Sequence, residues 1–304
     1  MLFAHVQGAV SPSPNLIQAG ILITLYEYAH SKLDTAYTSI KNCAKMAHTL
    51  GLHELMYLED NEERLEGKEQ KNIWWTIVIY ERVIFCDIMP IDQHLATAFP
   101  SSVAPLPLES AVLDKTDDIH SRASTRRLGS AIDIEHLSNF VGQAQAANLL
   151  DQVLSVIRTV DRKTKLLELP KIDERLMGLL GVLLEKSYST REHYCGAIAI
   201  CIRALHVLHG YVSDPAFTQV EIWGQNSAAA LNTLCEMVID IAKYYNKQFN
   251  LLDDNLPPPA IFYIAQASLK HLHKDQSFET GVEIEDYKVL RKYLDNLNSK
   301  WNVQ

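Results

Sequence analysis

Apolar residues recur at helical spacing along most of the chain, and no stretch shows the strict two-residue alternation of a half-buried strand. Residues 15–30 form an apolar run after Pro14, and a C-terminal series alternates spacings of three and four. That series consists of Tyr287, Leu290, Leu294, Leu297 and Trp301. The pattern predicts an all-α protein built as a large, irregular multi-helix bundle.

One predicted helix, which runs from near Ser31 to Gly51, ends in a recognisable stop signal. The signal consists of Leu50, Gly51 and Leu52, and we expect Gly51 to adopt the left-handed conformation of a Schellman motif. In that motif Leu52 would pack back on Ala47. We expect the same helix to begin near Ser31, with Asp34 in its first turn.

The next predicted helix, about 70–86, is apolar on nearly every side. It includes the stretch KNIWWTIVIYER at 71–82, so we expect it to be packed on most of its surface. Glu81 and Arg82 are neighbours on this helix and should point in different directions. If buried, each therefore needs a partner on another element.

The domain organisation predicted from composition is a single domain, 1–304, made of two packed helical halves. The halves span about 1–100 and 130–304. Between them, residues 100–130 are rich in Pro, Ser and Thr and carry mixed charge. We expect this stretch to be a mobile connection.

Charge and cysteine content narrow the classes of function. The 304 residues carry a formal net charge of -9, which weighs against neutralisation of nucleic-acid phosphates. Five cysteines without paired short spacing indicate reduced, buried thiols. No run of roughly 20 apolar residues could span a bilayer, and the first residues do not resemble a secretory signal. We therefore expect a soluble, intracellular protein of the nucleus or cytoplasm.

Catalytic and metal-binding motifs are absent from the sequence. It contains no G-x-G-x-x-G, G-x-x-x-x-G-K-[ST], H-E-x-x-H or G-x-S-x-G. His206 and His209 are three apart on a predicted helix, but no carboxylate or cysteine accompanies them at ligand spacing. The sequence thus predicts neither a metal site nor a cofactor, and it identifies no catalytic residue.

Four residues are candidate ligand-binding groups. Trp75 and Tyr80 could line an aromatic cavity between helices, in which Arg82 and His206 would supply hydrogen-bond donors. Aromatic residues at helical spacing are also what an ordinary core contains. Arg82 could equally form a structural ion pair, so both interpretations remain open.

Most of the chain resembles a known family, strongly at residues 15–100 and weakly elsewhere. Its features, in order, are Ile17-Gln18-Ala19, Leu25-Tyr26-Glu27, Leu50-Gly51-Leu52-His53, an acidic loop, Trp74-Trp75 and Glu81-Arg82. This order resembles the middle homology region of fungal zinc-cluster transcription factors, with Glu81 where Asp is more usual. The family's Gly-Arg-Pro is replaced here by Asp87-Ile88-Met89-Pro90, which keeps only the proline.

The resemblance implies an all-helical regulatory domain, and two functions are compatible with it. The family reads DNA through a cluster of six cysteines, whose spacing does not occur here, so we expect no direct DNA contact. Without a bilayer-length apolar run, we also expect no membrane contact. The first function is a regulatory or ligand-sensing module linked to fungal secondary metabolism. Its partners would be proteins of the transcription machinery or a hydrophobic small molecule. The alternative is a cofactor-independent cyclase or Diels–Alder-type pericyclase on the same fold.

Overall fold

The chain forms an all-α, multi-helix fold, as predicted. The computed structural model describes residues 11–57, 65–88, 94–108, 127–128, 137–189, 194–213, 222–248, 259–274 and 281–300. Within these ranges there are nine α-helices, one short 3-10 helix and no strand. Pro105 and Arg127 form an isolated antiparallel β-bridge.

The helices are numbered in chain order, and a 3-10 turn at Glu54–Tyr57 separates the second from the third. Their bounds are α1 Pro14–Ala29, α2 Leu33–Thr49, α3 Leu65–Ile88, α4 Asn139–Arg158, α5 Arg162–Ser189, α6 Cys195–Val212, α7 Ile222–Gln248, α8 Pro259–Lys274 and α9 Gly281–Lys300.

Helix α2 ends in the predicted Schellman motif. Gly51 has φ +70°, the Leu52 N–H donates to the Ala47 carbonyl at 3.0 Å, and the Gly51 N–H donates to the His48 carbonyl at 3.0 Å. Leu52 and Ala47 are both buried, which provides the apolar contact of the motif. The prediction for this helix end is confirmed.

The beginning of α2 differs from the prediction. The helix starts at Leu33, and its N-cap residue Lys32 makes no capping hydrogen bond through its side chain. Ser31 instead adopts a left-handed conformation with φ 57°. The preceding helix continues to Ala29, so Ser31 closes a tight α1–α2 turn and cannot take the extended conformation of an N-cap.

The chain divides into two compact units. The first comprises Met1–Asp151 with Glu185–Ala197, and the second comprises Gln152–Leu184 with Ile198–Gln304. In the first unit α1, α2 and α3 pack together, and in the second α7, α8 and α9 do so. Trp74 and Trp75 are buried in the first unit, as the apolar circumference of α3 predicts. The division into helical halves at about 1–100 and 130–304 remains a prediction.

Residues 94–108 run along α3 in the opposite direction. Thr97 lies beside Glu81 and Arg82, Pro105 beside Trp75 and Leu108 beside Asn72. Of the connection predicted at 100–130, Pro105 and Leu108 are hydrogen-bonded to α3, and Arg127 and Leu128 are hydrogen-bonded to Val103 and Ala104. Residues 109–126 and 129–130 lie outside the described part of the chain.

One described helix is long and apolar enough to cross a membrane by length and composition alone. It is α6, which has 18 residues and a mean hydropathy of 1.5. Because 72% of it is buried inside the protein, it has the properties of a core helix.

Candidate functional site

A buried charged cluster occupies the first unit. Helix α3 carries Glu81 and Arg82 into the interior, where their side chains are 0% and 1% exposed. The two groups contact each other, with Arg82 Nη1 3.0 Å from Glu81 Oε2. This direct contact is a correction, because neighbouring positions on a helix were expected to diverge. Both side chains are long enough to bend toward the same segment, residues 94–99.

Arg82 uses all three of its guanidinium nitrogens within its own protein. Nε donates to Asp151 Oδ1 on α4 at 3.0 Å, and Nη2 donates to the Thr97 carbonyl at 2.7 Å. Nη1 donates to Thr97 Oγ1 as well as to Glu81. The Arg82 guanidinium also lies 5.2 Å from the centre of the Phe99 ring. The expectation that Arg82 finds a partner on another element is confirmed.

The carboxylate of Glu81 accepts hydrogen bonds from residues 96 and 97. Its Oε2 accepts from the Thr97 N–H at 3.1 Å and from Thr97 Oγ1 at 2.5 Å, and its Oε1 accepts from the Ala96 N–H. Two buried charges in such a network are held by fixed donors and acceptors, which offsets the cost of removing them from water. The cluster therefore links α3, α4 and residues 94–99.

Tyr80 does not share a face of α3 with Trp75 and Arg82, which lie seven residues apart and about 20° from each other around the helix. Trp75 is fully buried and its Nε1–H donates to the Pro105 carbonyl at 3.0 Å. At about 100° per residue, Tyr80 lies about 140° around α3 from Trp75 and about 200° from Arg82. Burial raises the pKa of the Tyr80 phenol, although the residue as a whole keeps part of its surface exposed. These three candidates do not line one cavity.

His206 belongs to the second unit, whereas the other three candidates belong to the first. Its Nε2 lies 3.5 Å from Ser268 Oγ of α8. Burial lowers the pKa of His206 to about 3, with smaller contributions from Arg203, His271 and His209. His206 is therefore a neutral imidazole in the folded protein at neutral pH.

His209, one turn further along α6, makes contacts that the sequence could not indicate. Its Nδ1 lies 3.2 Å from Ser227 Oγ on α7, and its Nε2 lies 3.2 Å from Asp173 Oδ1 on α5. Asp173 Oδ1 has no hydrogen bond of good geometry, so the second approach is a close contact rather than an aligned hydrogen bond. The sequence marked His209 only as a neighbour of His206, and its partners lie 18 and 36 residues away.

The residue types Ser227, His209 and Asp173 are those of a hydrolytic triad, but their setting is different. Ser227 is 0% exposed, so its hydroxyl is not open to solvent as a catalytic nucleophile would be. Within the described residues, no group of three or more His, Cys, Asp or Glu side chains is placed to hold a metal ion. The arrangement is suited to joining α5, α6 and α7.

Four of the five cysteines are buried thiols. All five are free, and Cys43, Cys86, Cys201 and Cys235 are buried. Burial raises the pKa of the Cys43 thiol to about 12 and raises that of Cys201 as well. Both thiols are protonated at neutral pH and therefore poor nucleophiles.

An open hollow of about 480 Å³ lies on the first unit between α2 and the end of α3. It is lined by Asp34, Tyr37, Thr38, Lys41, Asn42 and Ile88. None of the four predicted binding residues lines it, and its wall is mainly polar. It is thus a different place from the aromatic cavity that the sequence suggested.

No protein-family model matches the chain, and neither does a curated protein or a solved structure.

Proposed function

We propose that the chain is a regulatory module similar to the middle region of fungal zinc-cluster transcription factors, and that it acts by binding protein partners. In this proposal it works in the nucleus or cytoplasm without its own DNA contact. The observation that carries the proposal is the pairing of Arg82 with Glu81, Thr97 and Asp151. A guanidinium whose nitrogens are all engaged internally serves architecture rather than a substrate.

The same observation bears on the alternative cyclase or pericyclase. That chemistry needs donors aimed at a bound substrate. Trp75 and Arg82 instead direct their donors at Pro105, Thr97 and Asp151 of the protein itself. His206 lies in the other unit and is a neutral residue beside Ser268. No observation favours the enzyme or a hydrophobic ligand, so we put forward the partner-binding function alone.

A reporter assay tests the proposal. The chain would be fused to an unrelated DNA-binding domain, and transcription would be compared with that domain alone in a fungal cell. We expect the fusion to change transcription severalfold. Arg82→Met should abolish the effect, and the matched variant Lys45→Met, at an exposed position on α2, should retain it.

Protein levels and helix content must be measured alongside the reporter. A folded wild-type fusion that leaves transcription unchanged would overturn the regulatory proposal. Conversion of a terpene or polyketide precursor by the purified chain would replace it with the enzymatic alternative.

A further inference from the structure

The face of α3 around Asn72 and Trp75 binds a short stretch of polypeptide through its main chain, just after a turn in which the Ala104 N–H donates to the Ser101 carbonyl at 2.9 Å. The Asn72 side chain pairs with both main-chain groups of Leu108. Nδ2 donates to the Leu108 carbonyl at 2.7 Å, and the Leu108 N–H donates to Oδ1 at 3.0 Å. One turn along the helix, Trp75 Nε1–H donates to the Pro105 carbonyl at 3.0 Å.

A second wall lies on the other side of the same stretch. The Leu128 N–H donates to the Ala104 carbonyl at 3.0 Å, and Arg127 Nη1 donates to the Val103 carbonyl at 2.6 Å. Together with Asn72 and Trp75, these two residues define what we call the α3 groove. Each of these hydrogen bonds engages a main-chain group of residues 103–108, and main-chain groups exist in any peptide.

The sequence of the bound stretch explains its shape. Residues 105–108 read Pro-Leu-Pro-Leu, and proline fixes its own φ near −65°. Leu106 also precedes a proline and is therefore biased toward extended conformations. An aromatic wall whose indole N–H donates to a proline carbonyl is the chemistry by which proline-rich peptides are generally bound. Trp75 supplies that donor. The centre of the Phe99 ring lies 5.9 Å from the centre of the Trp75 ring.

The two ends of residues 94–108 are attached differently. Residues 96 and 97 are held by the buried charges of Glu81 and Arg82, and leaving those charges unpaired would be costly. Residues 103–108 are held by the neutral side chains of Asn72 and Trp75, by one main-chain bond, by an exposed Arg127 and by the burial of Ala104 and Pro107. Displacing the second part would therefore leave no buried charge unpaired, whereas displacing the first part would.

From these contacts we propose that the α3 groove is a binding site for an extended, proline-rich peptide of a partner protein, which residues 103–108 occupy in the free chain. The inference goes beyond the regulatory function and does not depend on it, because it concerns binding by the α3 groove alone. A free peptide must compete with the attached copy, whose effective concentration is on the order of millimolar or more. Binding becomes measurable when that copy is loosened.

The test uses the full chain and a capped synthetic peptide, Val-Ala-Pro-Leu-Pro-Leu. The attached copy is loosened by the double substitution Pro105→Gly and Pro107→Gly. We expect the peptide to bind this variant about tenfold more tightly than it binds the wild-type chain. A peptide with glycine in place of both prolines should bind the variant about tenfold more weakly than the proline peptide, because it must lose more conformational freedom.

Two further variants locate the site. In the loosened background, Asn72→Ala should weaken peptide binding about tenfold, the factor expected for a pair of lost hydrogen bonds. The control Asn42→Ala, on α2 and outside the groove, should leave binding unchanged. Equal binding of both peptides, or no effect of Asn72→Ala in a folded variant, would overturn the proposal.

Hydrogen exchange in the wild-type chain gives a second test if the loosened variant does not fold. The Leu108 amide should exchange at least about tenfold faster than the Thr97 amide, which is bound to Glu81, since local openings differ widely in free energy within one protein. Equal protection of the two amides would contradict a displaceable stretch.

Discussion

The two units solve the same problem, that of a buried polar cluster, in opposite ways. The first unit buries a guanidinium and a carboxylate, and it surrounds them with Asp151 and Thr97. The second buries two imidazoles, of which His206 faces a neutral serine hydroxyl. Arginine cannot lose its proton in a protein, so it requires anions, whereas histidine can be neutral and needs only weak partners. Burying an arginine therefore requires the surrounding helices to supply a carboxylate, whereas burying a neutral histidine such as His206 does not.

The largest expected effect breaks the charged cluster. Arg82→Met should lower the free energy of unfolding by about 3–5 kcal/mol, because it leaves Glu81 buried without its cation. Urea denaturation followed by circular dichroism measures the change. The exposed control Lys45→Met should shift the free energy by less than about 0.5 kcal/mol. A loss near zero for Arg82→Met would show that the two buried clusters do not differ in this way.

The second prediction concerns His206 and the way in which the stability of the chain depends on pH. The pKa of His206 is lowered to about 3 in the folded protein, against about 6.5 in an unfolded chain. Between these values the unfolded state binds more protons, so stability falls as the pH falls below about 6.5. From pH 6.5 to pH 5 the wild-type chain should lose about 1.5 kcal/mol more than His206→Gln does.

The control for the pH experiment is an exposed histidine of α8, His273. His273→Gln should keep the acid sensitivity of the wild-type chain. If His206→Gln and the wild-type chain lost stability in parallel between pH 6.5 and pH 5, His206 would not be the buried neutral group that its surroundings indicate.

A third prediction extends the comparison to the backbone of the first unit. Gly51 has φ +70°, a conformation that costs a residue with a Cβ about 1 kcal/mol. Gly51→Ala should therefore destabilise the chain by about 1 kcal/mol in urea denaturation. Unchanged stability would mean that α2 does not end in the Schellman motif.

The smallest effect, of opposite sign, belongs to the second unit. Gly178 and Gly181 lie inside α5, and a Cβ added at either would meet no atom within 4 Å. Each substitution to alanine should stabilise the chain by about 0.5–1 kcal/mol, because alanine loses less freedom in a helix. Thermal unfolding measures the gain, and a lower melting temperature for Gly178→Ala would contradict the open surroundings of this position.

The sequence indicated those parts of the fold that depend on nearby residues. Helical periodicity predicted the all-α class, and the Leu50-Gly51-Leu52 stretch predicted the end of α2 in atomic detail. The apolar circumference of α3 predicted that Trp74 and Trp75 would be buried. The prediction that α2 begins near Ser31 is wrong, because the short α1–α2 turn, rather than the preference of serine for N-caps, determines the conformation of Ser31.

The candidate site was less predictable because its partners are distant in sequence. Asp151 lies 69 residues from Arg82, and no pattern on either helix pairs the two. Asp173 and Ser227 approach His209 from two other helices. The candidates Trp75, Tyr80, Arg82 and His206 were chosen by residue type, whereas a shared cavity depends on helix faces and on which unit each residue enters.

The role of the charged cluster is tested most sharply by a double-mutant cycle between Glu81 and Arg82. Glu81→Leu, Arg82→Met and the double variant would be compared with the wild-type chain by urea denaturation. If the pair is a structural link, the double variant should be less destabilised than the two single losses together, with a coupling energy of about 2–3 kcal/mol. Additive losses, with a coupling energy near zero, would contradict the claim that these two residues hold the first unit together as a pair.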